Sequence, residues 1–345
     1  MENEKVWGDV YASFQPCIGM SNEDAREGDI MGKHLLVYDF DWWVLGQKAK
    51  MIQHYHQRLD IYSLKEMEAL ANKRGAQYIN DVYEVIATLG LGIAQLLIKR
   101  NIRVDTSQIG SYNYFLNNHR VYREWRDPIK VNNRFIKEIM AKPRQFGVIN
   151  PKLAREVKQL LPKKTVNYIR PFVDSELFCP RSQKKHKDTF VVGWIGNETR
   201  KVKNYHTLYR QIVKTFHEDP AIAFVEATRS SPIAIDEMPA FYQQLDLLLI
   251  TSSNEGGPAP ALEAYSSGVP VLATNVGYVK EVAGPKGRSL ILNSNRSAPF
   301  VQKIKKIRND PSFHAMLKKE ARERILNHYT VEKTMDDWLE TLFFQ

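Results

Sequence analysis

Two glutamates eight positions apart, Glu255 and Glu263, are the residues of this chain whose type and spacing point most clearly to chemistry. The loop between them holds only Gly, Pro and Ala until Leu262. A buried-strand pattern at 245–251 precedes the loop and a helix-like stretch follows it, which is how an open α/β sheet forms a ligand site. The loop N–H groups and the helix N-terminus suit a phosphate, which an acid would repel. The two acids are therefore predicted to bind neutral hydroxyl groups.

The same stretch closely resembles the donor site of the family 4 glycosyltransferases, whose signature is S-x-x-E-G-x-x-x-P-x-L-E-A followed by G-x-P-V. The positions that match in register are Ser252, Glu255, Gly256, Pro260, Leu262, Glu263, Ala264, Gly268, Pro270 and Val271. The resemblance is strong from about residue 166 to 342 and weak before that. It implies an α/β fold of the GT-B type, with two Rossmann-like domains facing each other across a cleft. A C-terminal helix is expected to cross back to the N-terminal domain.

The resemblance also implies roles for individual residues. Glu263 is expected to hydrogen-bond the ribose hydroxyls of a nucleotide-sugar donor, and Glu255 is expected to contact hydroxyls of the transferred sugar. Lys203 matches the family lysine that neutralises the diphosphate. Backbone N–H groups near the sugar and the phosphates are expected from Gly256, Gly257 and Ala259. Transfer would retain the anomeric configuration, with the donor phosphate taking the acceptor proton.

One position departs from the family pattern. The family has an arginine directly after the strand glycine, Gly196, and this chain has Asn197 there. Because a lost cation weakens the stabilisation of the diphosphate leaving group, a substitute is expected from Arg200 or Lys201, exposed loop charges being the alternative. Arg229 follows another strand of the second domain and is a donor-binding candidate near the base.

Length and composition set broad limits. The 345 residues suggest two domains, and the 43% hydrophobic content is enough for sizeable cores. The sequence has no run of 18 apolar residues, so no transmembrane helix is expected, and the N-terminus has no signal-peptide pattern. Cys17 and Cys179 have no metal spacing, which favours a reduced, cytoplasmic protein. A peripheral position at the inner membrane face is an alternative, because cations interleaved with aromatic side chains in the basic segment can bind an anionic membrane.

Positive charge is concentrated in about a quarter of the chain. The net charge is +10, yet residues 99–187 alone hold 21 Lys/Arg against 7 Asp/Glu. This asymmetry indicates a polyanionic partner or an anionic surface, with a solvated basic face as the alternative. The cations fall on two helical faces, Lys130, Arg134 and Lys137 on one and Lys152, Arg155 and Lys158 on the other. Lys130 and Arg134 are our candidates for acceptor binding.

The first domain is expected to supply further acceptor contacts. The histidine candidates are His119, His54 and His56, each with a plain surface histidine as the alternative. Trp43 lies where the family has a glycine-rich loop, and it is predicted either to line the acceptor groove or to pack in the core. Gly46 is predicted to allow a close backbone approach.

Asp39-Phe40-Asp41 matches the sequence of a D-x-D metal-binding motif. It follows the first strand of the acceptor-side domain, where the GT-B fold has no metal site. We therefore interpret it as loop structure or acceptor contact. No metal and no cofactor are expected besides the donor substrate.

Short strands alternate with helices in both halves of the chain, which predicts mostly parallel sheets with helices on both faces. Strands are predicted at 34–38, 60–63, 76–79, 103–107, 146–150, 166–169, 190–196, 222–226, 245–251, 269–273 and 289–292. Pro151 fits the first position of a helix that Asn150 caps. The predicted organisation is an irregular N-terminal extension (1–33), an acceptor domain (34–172), a nucleotide-sugar-binding domain (173–328) and a final helix packing back on the first domain (329–345).

The function implied is a retaining, metal-independent glycosyltransferase that moves a sugar from a UDP- or GDP-linked donor to an acceptor hydroxyl. The acceptor is expected to be polyanionic or membrane-linked, such as an envelope glycan or a lipid-linked glycan. One alternative is a phage-type enzyme that glycosylates a modified base in DNA. Another is a non-catalytic GT-B module that binds sugar nucleotides, for which Asn197 is the only hint. A nucleotide-sugar epimerase of the same fold is the last.

Overall fold

The computed structural model describes residues 33–41, 44–110, 133–180 and 189–345. These residues form two β-sheets, one in each half of the chain. Every strand pairing in both sheets is parallel, as the alternation of short strands and helices predicts. Parallel sheets need covering helices on their faces, which the intervening segments supply.

The first sheet has six strands in the order β2-β1-β3-β4-β5-β6. Its strands are β1 (Lys33–Tyr38), β2 (Leu59–Ser63), β3 (Tyr83–Leu89), β4 (Thr106–Ile109), β5 (Gln145–Val148) and β6 (Thr165–Tyr168). Its helices are α1 (Val44–Tyr55), α2 (Leu64–Val82), α3 (Leu91–Lys99), α4 (Asn133–Phe135), which continues as a π-helix (Ile136–Met140), and α5 (Pro151–Leu160).

The second sheet has five strands in the order β11-β10-β9-β7-β8. Its strands are β7 (Phe190–Gly196), β8 (Ile222–Thr228), β9 (Leu247–Ile250), β10 (Val271–Thr274) and β11 (Ile291–Leu292). The α-helices of this half are α6 (Arg210–Thr215), α7 (Met238–Gln243), α8 (Ala259–Ser266), α9 (Val279–Val282), α10 (Ser297–Asn309), α11 (Pro311–His328) and α12 (Val331–Phe343). A 3-10 helix (Lys201–Lys203) and a π-helix (Tyr205–Tyr209) precede α6, and a 3-10 helix (Gly287–Leu290) precedes β11.

The strand predicted at 76–79 is wrong, because these residues lie in α2 and the third strand is β3. A capping box starts α2: Ser63 Oγ accepts from Glu66 N, and the Glu66 carboxylate accepts from Ser63 N at 2.8 Å. The apolar residues taken for a strand belong to the helix, which buries Ile79. β3 lies between β1 and β4, and its end from Ile86 to Leu89 is fully buried.

The predicted start of α5 is confirmed. Pro151 is its first residue, and Asn150 Oδ1 accepts hydrogen bonds from Lys152 N at 2.9 Å and Leu153 N at 3.2 Å. A side-chain oxygen at this position satisfies helix N–H groups that have no partner within the helix. Asn150 is only 1% exposed, so this cap lies inside the protein.

The last helix, α12, packs on the first sheet, as the resemblance implies. Trp338 is fully buried and its Nε1 donates to Arg170 O at 2.8 Å. Thr106 Oγ1 in β4 donates to Leu342 O at 2.8 Å, and Arg170 forms an ion pair with Asp337 at 2.9 Å. The C-terminal segment is therefore part of the first domain's packing although it follows the second domain in sequence.

One hydrophobic cluster runs from the first sheet through Phe172 to the helices of the second sheet, including Tyr242 and Leu262. The domain boundary predicted near 172 falls between β6 and β7 and stays a prediction, as does the N-terminal extension, nearly all of which lies outside the described residues. Within the described ranges, the helices are too short or too polar to cross a bilayer.

Candidate functional site

The Glu255 loop, residues 251–258, joins the carboxyl end of β9 to the amino end of α8. Thr251 and Ser252 at its start are buried, and Thr274 Oγ1 at the end of β10 donates to Ser252 O at 2.5 Å. Pro258 precedes α8 with extended backbone angles. The loop therefore lies at the edge where parallel sheets bind their ligands.

A second loop, the Lys203 loop (residues 197–204), follows β7 and is hydrogen-bonded to the Glu255 loop. Ser253 N donates to Val202 O at 2.8 Å. Thr251 Oγ1 donates to Lys203 O at 2.8 Å. Because the backbone carrying Lys203 is held by the end of β9, the lysine stem has a fixed starting point.

Lys203 and Glu255 are brought together, as two residues of one site should be. Lys203 Nζ lies 2.5 Å from Glu255 Oε1, and Ser252 Oγ donates to the same oxygen at 2.8 Å. The two charged side chains are only 17% and 16% exposed. A Cβ on Gly196 would lie only 3.0 Å from the Trp194 ring, whereas its 3.5 Å distance from Lys203 Cδ would be an ordinary contact.

The glycines of the Glu255 loop allow a backbone contact that a side chain would prevent. A Cβ on Gly257 would lie 2.1 Å from a ring carbon of Tyr278. Gly277 has a φ of +55° and packs against Gly256 and Gly257 from the loop after β10. Ala259 is the first residue of α8, where helix N–H groups have no partner within the helix. The loop therefore packs closely on Tyr278 and Gly277 and leads directly into a helix N-terminus.

Glu263 lies in α8 beneath this loop. Tyr242 in α7 donates its hydroxyl to Glu263 Oε2 at 2.5 Å. Burial raises the pKa of Glu263, while the Tyr242 hydrogen bond and the positive charge of Lys48 in α1 act in the opposite direction. The two acids of the sequence pattern therefore have different surroundings: Glu255 is paired with a lysine, and Glu263 accepts from a phenol.

Asn197 shapes its own loop. Its Oδ1 accepts from Thr199 N at 3.0 Å and from Thr199 Oγ1 at 2.7 Å. The neighbouring Glu198 accepts from Arg229 N at 2.8 Å and from Ser230 N at 3.0 Å. The loops after β7 and β8 are therefore tied together through a carboxylate, and the Arg229 side chain is left exposed.

The two candidates for the missing cation lie just before Lys203. Arg200 is partly exposed, and its N–H donates to Asn197 O at 3.1 Å. Lys201 is exposed. Lys203, rather than either of them, pairs with Glu255, so a phosphate role for Arg200 or Lys201 stays a prediction.

The first domain contributes two residues that the sequence analysis did not assign to the site. Asn150, predicted only as a helix cap, also donates from Nδ2 to Gly256 O at 3.0 Å. Lys48 is 8% exposed, and its charge acts on Glu263. The signal for Lys48 was its position four residues before Ile52, which places a lysine on the buried face of α1.

Three of the four predicted acceptor residues lie outside the part of the chain that the structure describes. Trp43, His119 and Lys130 lie outside the described residues. Arg134 is described: its side chain is 80% exposed and pairs with Glu138 at 2.9 Å. That contact is an ordinary ion pair along a helix surface, and it leaves the acceptor role of Arg134 a prediction.

The histidine at position 56 lies at the wrong end of the sheet for the predicted role. His56 Nε2 is 2.8 Å from His34 Nδ1, and both rings pack on Phe343. α1 runs from the carboxyl end of β1 to the amino end of β2, so His56 and the neighbouring His54 lie near the amino edge of the first sheet. Asn150, which contacts the Glu255 loop, follows the carboxyl end of β5. Burial lowers the pKa of both paired histidines, which fits structural groups.

The Asp39-Phe40-Asp41 stretch makes contacts within its own loop. Tyr38 donates its hydroxyl to Asp41, and Asp39 Oδ1 accepts from Phe40 N at 2.8 Å. A Cβ on Gly46 would lie 2.5 Å from Phe40 O, so the close approach predicted for this glycine is to the same loop. No group of three or more His, Cys, Asp or Glu side chains is arranged to hold a metal ion within the described ranges.

Comparison with known proteins agrees with this geometry. Residues 232–324, which include the Glu255 loop and α8, match the family model described as "Glycosyl transferases group 1". A D-inositol 3-phosphate glycosyltransferase of Salinispora tropica is 27% identical over 105 residues, which are 30% of this chain and 22% of that protein. A 2-deoxystreptamine glucosyltransferase of Streptomyces kanamyceticus is 34% identical over 77 residues, or 22% of this chain and 20% of that protein. The chain thus matches only about a fifth of the length of these curated relatives.

Solved structures resemble the chain over nearly its whole length. The sucrose-phosphate synthase of Thermosynechococcus elongatus aligns with a TM-score of 0.69 at 12% identity, covering 89% of this chain and 97% of that one. Anabaena Alr3699/HepE in complex with UDP-glucose aligns with a TM-score of 0.64 at 13% identity, covering 90% and 100%. At such identities the likeness establishes the fold. The chain therefore has the GT-B fold, and its residues 232–324 resemble the group 1 glycosyltransferases, also called family 4.

Proposed function

We propose that this chain transfers a sugar from a uridine-diphosphate sugar to an acceptor hydroxyl, with retention of anomeric configuration and without a metal ion. The observation that carries this proposal is the arrangement of Lys203, Glu255 and Glu263 around the amino end of α8. The cation and the helix N-terminus suit the diphosphate of a nucleotide-sugar donor. The two acids suit its hydroxyl groups.

Each of these groups has a part in the proposed reaction. Lys203 and the N–H groups of Gly256, Gly257 and Ala259 stabilise the charge that develops on the leaving diphosphate. Glu255 accepts hydrogen bonds from hydroxyls of the transferred sugar. Glu263 accepts hydrogen bonds from the ribose hydroxyls. The bond from the anomeric carbon to the diphosphate oxygen breaks, the acceptor oxygen bonds to that carbon, and the acceptor proton passes to the departing phosphate.

Two matches support the choice of donor. The Anabaena structure that shares the fold was solved with UDP-glucose, and the kanamyceticus relative is named a glucosyltransferase. Arg229 follows β8 with an exposed side chain, where we place the base. A UDP-linked hexose is therefore the first donor to test.

An anionic acceptor is favoured by the outer face of α5. Lys152, Arg155 and Lys158 are exposed on one side of this helix. The face begins at Asn150, whose side chain touches the Glu255 loop. An acceptor that carries phosphate or carboxylate groups would meet these cations while its hydroxyl reaches the donor. We propose that the acceptor is an envelope or lipid-linked glycan. Glycosylation of duplex DNA by the enzyme would instead point to DNA as the acceptor.

Replacing Glu263 with alanine should weaken donor binding by about 10–100-fold, because hydrogen bonds from the ribose to a charged acceptor are lost. The measurement is a panel of uridine, guanosine and adenosine diphosphate sugars, scored by thermal shift and by slow donor hydrolysis. The exposed Glu237→Ala variant is the control. Equal donor affinity in Glu263→Ala and wild type would remove the ribose role, and a wild type that responds to none of the donors would contradict the proposed function.

Replacing Asn150 with aspartate should lower turnover about ten-fold while α5 stays folded. Asp caps helices as well as Asn does, so the bonds to Lys152 N and Leu153 N survive. The donated bond to Gly256 O is lost, and a carboxylate oxygen faces the carbonyl instead. Donor-hydrolysis kinetics measure the loss and thermal unfolding checks the cap. Unaltered turnover would show that the loop position does not depend on Asn150.

A further inference from the structure

Tyr242 is a buried phenol that the proposed reaction does not use. It lies in α7, is fully buried, and its hydroxyl donates to Glu263 Oε2 at 2.5 Å. Burial, with the Glu263 carboxylate acting in the same direction, raises the pKa of Tyr242 far above its ordinary value. The phenol therefore keeps its proton, and Glu263 is the acceptor of this bond. Glu263 itself is partly exposed, so Oε1 is the carboxylate oxygen left for a ligand.

Residues 178–179, between β6 and β7, hold the two helices that carry this bond at a fixed separation. Gln243 at the end of α7 donates from Nε2 to Cys179 O at 3.0 Å. Ser266 at the end of α8 donates from Oγ to Phe178 O at 2.5 Å. Because two consecutive carbonyl groups bind the two helices, α7 and α8 cannot move apart without breaking a hydrogen bond.

Aromatic packing fixes the phenol ring itself. The Tyr242 ring meets Phe178 edge-on, with 5.7 Å between the ring centres, and meets Phe241 in the same way at 5.9 Å. A fully buried ring cannot change its rotamer unless these neighbours move as well. The Glu263 side chain has several staggered rotamers, and a hydroxyl at a fixed place selects the one that can accept from it.

We propose that Tyr242 is a positioning residue for donor binding: its hydroxyl holds the Glu263 carboxylate in the orientation that accepts hydrogen bonds from the ribose hydroxyls. This inference rests on the ribose role proposed for Glu263. A carboxylate that is ordered before the ligand arrives does not lose its rotamer freedom on binding, and this favours affinity. The preference of the site for ribose then depends on a group that does not touch the ribose.

The test compares UDP with 2′-deoxy-UDP, which lacks one ribose hydroxyl, by calorimetry on wild type and Tyr242→Phe. Phenylalanine keeps the buried ring and removes only the hydroxyl. Wild type should bind UDP about ten-fold more tightly than 2′-deoxy-UDP, which corresponds to one hydrogen bond to a charged group. In Tyr242→Phe this preference should fall to about two-fold, with most of the loss in UDP affinity.

A second tyrosine supplies the matched control. Tyr265 is also buried, in α8, and its hydroxyl has no hydrogen-bond partner among the residues that the structure describes. Tyr265→Phe should therefore keep the wild-type preference for UDP. In the Glu263→Ala background, Tyr242→Phe should have no further effect on UDP affinity, because there is no carboxylate left to orient.

The outcomes separate the role of Tyr242 from that of Glu263. Equal losses of UDP and 2′-deoxy-UDP affinity in Tyr242→Phe, or a full wild-type preference in that variant, would overturn the role of Tyr242. If wild type itself binds the two nucleotides equally, the ribose role of Glu263 fails, and this inference fails with it. Partial unfolding of a variant lowers both affinities by the same factor, so the ratio of the two reports the folded protein.

Discussion

Replacing Lys203 with methionine is expected to slow sugar transfer by about 10²–10³-fold, the usual cost of removing one preorganised charge-stabilising group. The lysine is held in place before any donor arrives: Thr251 fixes its backbone, and Glu255 fixes its ammonium at 2.5 Å. Such a cation costs little reorganisation when charge develops on the leaving diphosphate. UDP affinity should fall as well, because the free diphosphate carries the same charge. Steady-state kinetics and UDP calorimetry measure both effects.

The control is Lys201→Met, two residues away in the same 3-10 helix and exposed. If Lys201 replaces the missing family arginine, this variant will also lose UDP affinity. If Arg200 does so, Arg200→Met will show that loss and Lys201→Met will not. Near-wild-type transfer in Lys203→Met would contradict the central assignment, because no other lysine is paired with Glu255 among the described residues.

Local sequence signals predicted the parts of the fold that local interactions determine. The strand, loop and helix around Glu255 follow from apolar runs interrupted by Gly and Pro, and they occur where expected. Asn150 and Pro151 identified the start of α5 because capping depends only on neighbouring residues. The strand predicted at 76–79 failed for the opposite reason. Its apolar residues belong to a helix that packs on the sheet, so tertiary contacts decide whether this segment is a strand or a helix.

Contacts between distant segments were beyond prediction from one sequence. The pattern gave Glu255 and Lys203 separate partners in the donor, whereas the structure pairs them with each other, 52 positions apart. The bond from Asn150 to Gly256 spans 106 positions, and nothing in either neighbourhood indicates it. Lys48 looked like one of many surface lysines until the packing of Phe172 and Trp338 around it was known.

The Lys203–Glu255 pair has a consequence for Glu255 that distinguishes it from Glu263. Without donor, the Glu255 carboxylate neutralises Lys203, the cation that we propose binds the diphosphate. Diphosphate binding therefore has to compete with Glu255 for Lys203, or share it. A neutral residue at position 255 would remove this competition and leave the ammonium available to phosphate.

Replacing Glu255 with glutamine should accordingly lower the turnover of the nucleotide sugar by about 10²-fold while UDP affinity stays equal or improves. Turnover falls because the sugar hydroxyls lose a charged acceptor. UDP affinity does not fall, because UDP has no sugar at this position and Lys203 is released. Glu255→Asp is the matched control: it keeps the charge one methylene shorter, so it should retain the competition for Lys203 and still lose turnover. Calorimetry with UDP beside single-turnover kinetics separates the two effects, and parallel losses of UDP affinity and turnover in Glu255→Gln would place Glu255 on the diphosphate rather than on the sugar.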